Sequence, residues 1–203
     1  MLNGLRGAMT RFFTPIAKAL LRLGISPDAV TIGGTLVVVV TALWAFPTGH
    51  FLLGTLVIAV FVLTDSLDGV MARQAGRSGP WGAFLDSTLD RFGDGAIFAG
   101  LVLWFTAGGD DRLSAVLALA CLVLGSIVPY ARARAEGLGM TASGGIAERA
   151  DRLALVLVAT FAVGVGAPTV VLTVVLALLT LASAVTIVQR MSKVYRQAAQ
   201  VTG

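Results

Sequence analysis

The stretch DSLDGVMARQAGRSGPWGAFLDSTLDRFGD, from Asp65 to Asp94, decides how the chain is read. It joins an apolar run over residues 51–74 to a second over residues 82–106, through a short, polar, Gly-rich loop at residues 75–81. Each run is long enough for a membrane-spanning helix of about 20 residues, and so short a loop makes the two helices antiparallel neighbours. Five aspartates lie inside these runs or at their ends. Charge at such depth is costly and calls for a partner or a function. Asp65 and Asp68 are three residues apart, Asp86 and Asp90 four apart, and Asp94 continues the second stripe. Both spacings put the members of a pair on one helix face. Near one membrane surface, the two acidic pairs can converge.

The rest of the chain agrees with a bilayer setting. Of 203 residues, 57% are hydrophobic and 13% charged, with a mean hydropathy of +0.90. A soluble domain averages about 25% charged residues, so this chain could not cover a water-facing surface. The expected fold is an all-α membrane protein with six transmembrane helices, over residues 29–46, 51–74, 82–106, 112–135, 148–165 and 168–189. Ser26-Pro27-Asp28 reads as the start of the first. Residues 5–23 are mixed: Arg11, Lys18 and Arg22 share one helical face, with Leu5, Met9, Phe12, Ile16, Leu20 and Leu23 broadly opposite. That pattern predicts an amphipathic helix lying in the membrane interface, started or kinked by Pro15. A signal peptide is the rival, but Lys18 and Arg22 interrupt the apolar stretch and there is no clear cleavage site. A single domain over residues 1–203 is expected, with 1–27 as the interfacial segment and 28–197 as the bundle.

The net charge of +4 does not point to nucleic acid, because the basic residues cluster at the ends of apolar runs, where lipid headgroups or a substrate phosphate are the natural partners. With the N-terminus in the cytoplasm, 13 of the 15 Lys and Arg fall in cytoplasmic segments or at adjoining helix ends. Arg91 lies in the cytoplasmic half of its span, and Arg112 alone falls on the other side. That asymmetry orients a multi-pass protein in the cell membrane with its acidic pairs on the cytoplasmic side. The single cysteine, Cys121, sits in an apolar run as a small buried hydrophobe, and His50 reads as a solvated turn residue.

Four converging carboxylates repel one another unless something neutralises them. Hard divalent cations do so: carboxylate oxygens suit Mg²⁺, Mn²⁺ or Ca²⁺, and no Cys or His stands nearby to favour zinc. Two ions about 3.5–4 Å apart would clamp the attacking and leaving oxygens of a phosphoryl displacement. Proton relays, ion paths and structural pairing with Arg73 or Arg91 are the competing uses of intramembrane acids. Two acidic pairs beside a Gly-rich loop favour metals. Gly69, Ala72 and Gly82 add small side chains that permit close approach of a ligand or helix.

The run Asp65-x2-Asp68-Gly69-x2-Ala72-Arg73-x8-Gly82-x3-Asp86-x3-Asp90 resembles the signature of the CDP-alcohol phosphotransferases, eight positions at fixed spacing. The resemblance implies a six-helix membrane fold, usually dimeric, with two Mg²⁺ or Mn²⁺ ions and CMP as the leaving group. By position, Asp65, Asp68 and Asp86 match metal ligands, and Asp90 matches both a metal ligand and the general base. Gly69, Ala72, Arg73, Gly79 and Gly82 match the nucleotide-binding part. Asp28, Ala29, Val30 and Thr31 fall in a segment similar to the one that contacts the CDP-diacylglycerol substrate. Membrane lipids are the implied surroundings, and nucleic acid is not an implied partner.

Within that family, Tyr130-Ala131-Arg132-Ala133-Arg134-Ala135-Glu136, Glu148-Arg149-Ala150-Asp151-Arg152, Asp90-Arg91-x2-Asp94-Gly95 and Val188-Gln189-Arg190 resemble segments of the actinobacterial phosphatidylinositol phosphate synthases. The familiar form has Lys at the position of Arg132. The implied acceptor is inositol 1-phosphate, its phosphate held by Arg132, Arg134, Arg152 and Arg190 through forked hydrogen bonds. Positive-inside topology alone accounts for some of these arginines. Three other readings compete. Glycerol-3-phosphate could be the acceptor, giving phosphatidylglycerophosphate. A membrane prenyltransferase also binds diphosphate through Asp-rich helices, but with two separated motifs. A cation transporter would place its carboxylates at the membrane midplane rather than near one surface.

Overall fold

The computed structural model describes residues 2–64, 66–76 and 79–201, and every regular element among them is an α-helix. In chain order these are α1 (Leu2–Arg22), α2 (Pro27–Ala45), α3 (Phe51–Thr64), α4 (Ser66–Gln74), α5 (Pro80–Thr106), α6 (Arg112–Glu136), α7 (Arg149–Gly164) and α8 (Val170–Val201). Local chemistry sets several starts. Ser26 caps α2 by accepting from the Ala29 N–H at 3.1 Å, with Pro27 in the first turn. Glu148 and Asp151 form a reciprocal capping box at the start of α7. Pro80 opens α5 two residues earlier than the apolar pattern predicts.

The helices pack as a ring. α2 lies against α5, α5 against α6, α6 against α8, α8 against α7, α7 against α3, and α3 returns to α2. α1 stands outside this ring on α4, burying Phe13 and Ala17 against Leu67, Val70 and Met71. This turns α1 from the face the sequence pattern emphasises. Phe12 and Leu23 remain exposed, and the buried stripe runs one residue further along. The core of the ring is made by Phe46, Ile58, Leu101, Phe105, Val156, Leu172 and Leu176, all buried. α2 and α5 approach closely at Gly100, where any Cβ would strike the Ala42 carbonyl. Polar side chains inside the ring pair across helices: Thr55 donates to Thr160 at 2.7 Å between α3 and α7, and Ser114 meets Thr173 at 2.7 Å between α6 and α8. Such pairs join helices where apolar side chains gain little by leaving lipid.

The outer surface is apolar. Val40, Leu36, Val158, Leu178 and Leu181 are all more than half exposed, the pattern expected when lipid rather than water is the solvent. Four helical stretches are long and apolar enough to cross a membrane: Pro27–Ala45, Phe51–Gln74, Arg112–Glu136 and Val170–Gln200. The ionic first half of α5 and the shortness of α7, 16 residues, keep those two outside that group. The molecule is an all-helical, multi-pass membrane protein. One boundary needs correction. The sequence reading ends the last span near residue 189, but α8 runs on to Val201. No Gly or Pro occurs between residues 169 and 201, so nothing stops it. Arg190 therefore lies within the helix rather than at its end. Cys121 is buried as expected, its thiol donating to the Leu176 carbonyl at 3.3 Å.

Candidate active site

The ionic residues gather at one end of the ring. The start of α2 supplies Asp28 and Thr31. Thr31 Oγ1 lies 2.6 Å from Asp68 Oδ2 and 3.1 Å from the Pro27 carbonyl, and its single proton serves the shorter, charged contact. Asp68 Oδ1 accepts from the Gly69 N–H at 2.5 Å. Trp81, in the first turn of α5, donates from Nε1 to Asp28 Oδ2 at 3.0 Å. The Asp28 and Asp86 carboxylates stand near enough to Asp68 to act on it electrostatically. Thus α2, α4 and α5 meet around Asp68.

Further along α5, the next two turns turn toward α7. Arg149 bridges both carboxylates, with Nη2 2.8 Å from Asp90 Oδ1 and Nε 3.1 Å from Asp94 Oδ1. Arg91 Nη2 lies 3.4 Å from Asp90 and 3.9 Å from Asp94, and Arg152 Nη2 lies 3.9 Å from Asp94. A cavity of about 250 Å³ opens among these groups, lined by Thr31, Asp68, Asp90, Asp94 and Arg149 with apolar walls from Val38 and Ile97.

The residues of the nucleotide-binding pattern surround the same end. Gly69 leaves its Cβ position 3.6 Å from the exposed Arg73 side chain, Ala72 is half-buried beside it, and the Cβ positions of Gly79 and Gly82 face open space. Ala29 is exposed, and Val30 lines the cavity while packing against the α1–α4 cluster. Asp65 lies outside the described residues. Among the described residues, no three His, Cys, Asp or Glu side chains gather closely enough to hold a metal by themselves.

The arginines are deployed unevenly. Arg152, 2% exposed, donates to the carbonyls of Ala147 at 3.0 Å and Gly125 at 3.3 Å. Arg190, 5% exposed, donates to the Gly144 carbonyl at 3.1 Å and the Val128 carbonyl at 2.5 Å. These bonds tie α6, α7, α8 and the loop over residues 137–148 together. Arg152 feels the charges of Arg91, Arg149 and Arg190, and Arg190 that of Arg132. A line of guanidinium groups therefore leads away from Asp90 and Asp94. Arg132 pairs with Glu136 at 2.8 Å on the surface, and Arg134 is exposed in the last turn of α6.

Three contributors carried no assigned role in the sequence reading: Arg149, Asp94 and Trp81. The signal for Arg149 lay in the charged run Glu148–Arg152, where it stands three residues before Arg152 and so shares its face. Asp94 belongs to the acidic stripe of α5 and required a cation. Nothing in the sequence pairs Trp81 with Asp28.

A multi-pass helical bundle with acidic side chains facing a row of arginines is built for a phosphate-bearing substrate at a membrane surface. The chain belongs to the CDP-alcohol phosphatidyltransferase family, which matches residues 24–194, and it is a CDP-alcohol phosphotransferase. This removes the transporter and prenyltransferase readings. A phosphatidylinositol phosphate synthase of Streptomyces avermitilis is 46% identical over 201 residues, covering 96% of this chain and 82% of its own. That of Cutibacterium acnes is 48% identical over 203 residues, covering 97% of this chain and 98% of its own. The crystal structure of Mycobacterium tuberculosis phosphatidylinositol phosphate synthase with CDP-DAG bound aligns with a TM-score of 0.88 at 43% identity, over 91% of this chain and 94% of that one. The same enzyme in complex with manganese and citrate aligns with a TM-score of 0.87 at 43% identity, over 90% and 88%.

Proposed function

We propose that this enzyme transfers the phosphatidyl group of CDP-diacylglycerol to the hydroxyl of inositol 1-phosphate, giving phosphatidylinositol phosphate and CMP. The observation that carries this reading is the cavity lined by Asp68, Asp90 and Asp94 together with Arg149, the arginine from which the line through Arg152 leads away. One substrate carries a diphosphate and the other a phosphate, and each needs cationic partners. The close relatives support the same acceptor. Glycerol-3-phosphate remains the alternative that the experiment below separates.

In this reading Asp65, Asp68, Asp86 and Asp90 hold two divalent ions, Mg²⁺ or Mn²⁺. The donor set fits: Asp68 and Asp86 are hard oxygen ligands, and Asp68 has hydrogen-bond donors but no ion pair among the described residues. The ions supply neutralisation of the diphosphate charge and of the departing CMP. Asp28, Ala29, Val30 and Thr31, with Gly69, Ala72, Arg73, Gly79 and Gly82, seat the CDP-lipid. Thr31 and Gly69 hold the Asp68 carboxylate in a fixed orientation. Asp90 takes the proton of the acceptor hydroxyl as that oxygen bonds to the phosphatidyl phosphorus and the bond to the CMP oxygen breaks. Arg149, 2.8 Å from Asp90, holds its carboxylate in position for that task. Arg132, Arg134, Arg152 and Arg190 hold the acceptor phosphate.

The purified enzyme, given CDP-diacylglycerol and Mg²⁺ or Mn²⁺, should release CMP with inositol 1-phosphate far faster than with free inositol or glycerol-3-phosphate, because an arginine site left without its anion is penalised. A preference for either of the other two alcohols overturns the acceptor assignment.

The proposal extends to the setting. Six helices cross the cell membrane, α1 lies in the interface on its exposed Phe12, Ile16 and Leu23, and residues 1–203 form one domain that functions as a homodimer. The ionic end faces the cytoplasm. In a chain whose buried Cys121 has been replaced, a cysteine at the exposed Ser143 should be labelled only from the cytoplasmic side and one at the exposed Ala107 only from outside. The reverse pattern inverts the orientation.

A further inference from the structure

The last helix outruns the apolar span, and a groove follows it past the boundary. The groove holds about 870 Å³ along one flank of α8, with Thr141 of the loop over residues 137–148 on its wall. Its volume falls within the roughly 300–1,000 Å³ of small-molecule sites. Its two ends differ in chemistry. Ala184, Val185 and Val188 line one end, inside the apolar run, and Ser192, Lys193 and Arg196 line the other, beyond it. Val185 and Lys193 stand about two turns apart, about 12 Å along the helix axis. None of the residues that line this groove lines the cavity around Asp68 and Asp90.

The charge at the polar end is uncompensated. No acid lines the groove, and the chain contains no Asp or Glu over residues 137–147 or 152–203. Lys193 and Arg196, three residues apart, share one helix face, where like charges repel. Lys193 directs one donor to the Ser143 carbonyl at 3.3 Å, and its ammonium has three. Arg196 is exposed and brings five. The wall beside them is fixed: Gln197 accepts from the Thr141 N–H at 2.9 Å and donates to the Thr141 carbonyl at 2.7 Å. An anion between the two cations removes their repulsion without any rearrangement of helix or loop.

We propose that this groove binds one anionic phospholipid of the leaflet at the ionic end, its phosphate between Lys193 and Arg196 and an acyl chain along Ala184, Val185 and Val188. The small side chains at the apolar end leave a shallow channel on the lipid-facing surface. A zwitterionic headgroup would bring an ammonium to two cations and no carboxylate, so net negative charge is selected. Inorganic phosphate could meet the cations but would make no use of the apolar end. The site lies apart from the substrate cavity and does not depend on which alcohol is the acceptor.

The test is native mass spectrometry of the purified enzyme titrated with phosphatidylglycerol, phosphatidylcholine or inorganic phosphate, beside a Lys193→Gln, Arg196→Gln double variant and Val188→Phe. All three side chains are exposed, so the packing of the bundle is kept. Phosphatidylglycerol should bind as a discrete, saturable adduct. The double variant should weaken that binding about tenfold or more, the effect of two basic groups lost at a membrane surface. Val188→Phe fills the apolar end, keeps both charges and should weaken it as well. Phosphatidylcholine and inorganic phosphate should bind the unmodified enzyme far more weakly, and KM for CDP-diacylglycerol should be the same in all three proteins. Equal binding of phosphatidylcholine, saturation by inorganic phosphate, or an affinity for phosphatidylglycerol unchanged in either variant would overturn the lipid site. So would a raised KM for CDP-diacylglycerol, which would make the groove part of the substrate site, or a change in the number of chains per particle, which would make it a contact between copies of the enzyme.

Discussion

The two ends of the bundle are built on different chemistry. One is ionic: Asp28, Asp68, Asp86, Asp90 and Asp94 gather with Arg91, Arg149, Arg152 and Arg190 across five helices. The other is aromatic. Trp104 makes edge contacts with Phe51 and Phe105 at 4.9 and 4.8 Å, Phe51 stacks near Phe46 at 5.7 Å, and Trp44 stacks on His50 at 5.6 Å. Aromatic rings of this kind suit a membrane–water boundary and close the turns between helices. The contrast shows a division of labour. The aromatic end fixes how the helices are joined, and the ionic end holds charge that folding alone does not require. Removing a side chain should therefore affect catalysis at one end and stability at the other, and the exceptions are informative.

The largest effect should come from Asp68→Asn. Asparagine keeps one oxygen for the Gly69 N–H, and Thr31 can turn its proton to the Pro27 carbonyl and accept from the new amide, so the fold has little to lose. The charge needed by a metal ligand is gone. Turnover should fall about a hundredfold or more, with thermal unfolding in detergent nearly unchanged. Near-normal turnover would break the contrast at its centre, because a carboxylate assigned to a metal would then be structural.

The arginines sharpen the comparison from the other direction, since Arg152 and Arg190 belong to the ionic end yet act as struts. Arg152→Ala leaves the carbonyls of Ala147 and Gly125 without their donor inside the bundle. It should cost about 2–4 kcal/mol of stability in addition to weakening acceptor use. Arg134, exposed in the last turn of α6, should change stability by no more than about 0.5 kcal/mol when replaced by Ala, so any effect there is on acceptor KM. Equal destabilisation by the two substitutions would mean that the carbonyl bonds of Arg152 contribute nothing.

These cases show what the sequence could and could not disclose. The acidic stripe was legible because three- and four-residue spacing on a helix places side chains without knowledge of the partner helix. The loop over residues 75–81 was expected to make its two helices packing neighbours and does not: among the described residues α3, α4 and α5 each pack on α2 instead, and Asp68 and Asp86 approach each other at its start. The helices followed from the apolar runs, but their packing order around the ring did not. The roles of Arg152 and Arg190 were hidden because their partners are backbone carbonyls up to 62 residues away, and any residue has a carbonyl to offer. Arg91 and Arg149 were ambiguous for a related reason: a cation near a helix end serves topology as readily as chemistry. The length of α8 was written in the absence of Gly and Pro between residues 169 and 201. The drop in hydropathy near residue 190 concealed it, because lipid immersion and helicity end at different places.

The smallest effect lies at the aromatic end, where one acid has a purely structural task. Asp111 caps α6: its Oδ1 accepts from the Ser114 N–H at 3.2 Å and its Oδ2 from the Ser114 hydroxyl at 2.5 Å. Those bonds, the hydroxyl first, hold its carboxyl below the ordinary carboxylate range. A depressed acid pKa in the folded protein means stability that is fully present above the unfolded value, about 3.9, and is lost as pH falls through the folded value. Asp111→Asn keeps a capping oxygen but cannot titrate. The unmodified protein should therefore melt slightly above Asp111→Asn at pH 7, and the gap should close as the pH is lowered below about 4. Catalysis measured at pH 7 should be the same in both proteins. A gap that persists undiminished at pH 3, or a loss of turnover in the variant, would place a functional charge at the end assigned to structure.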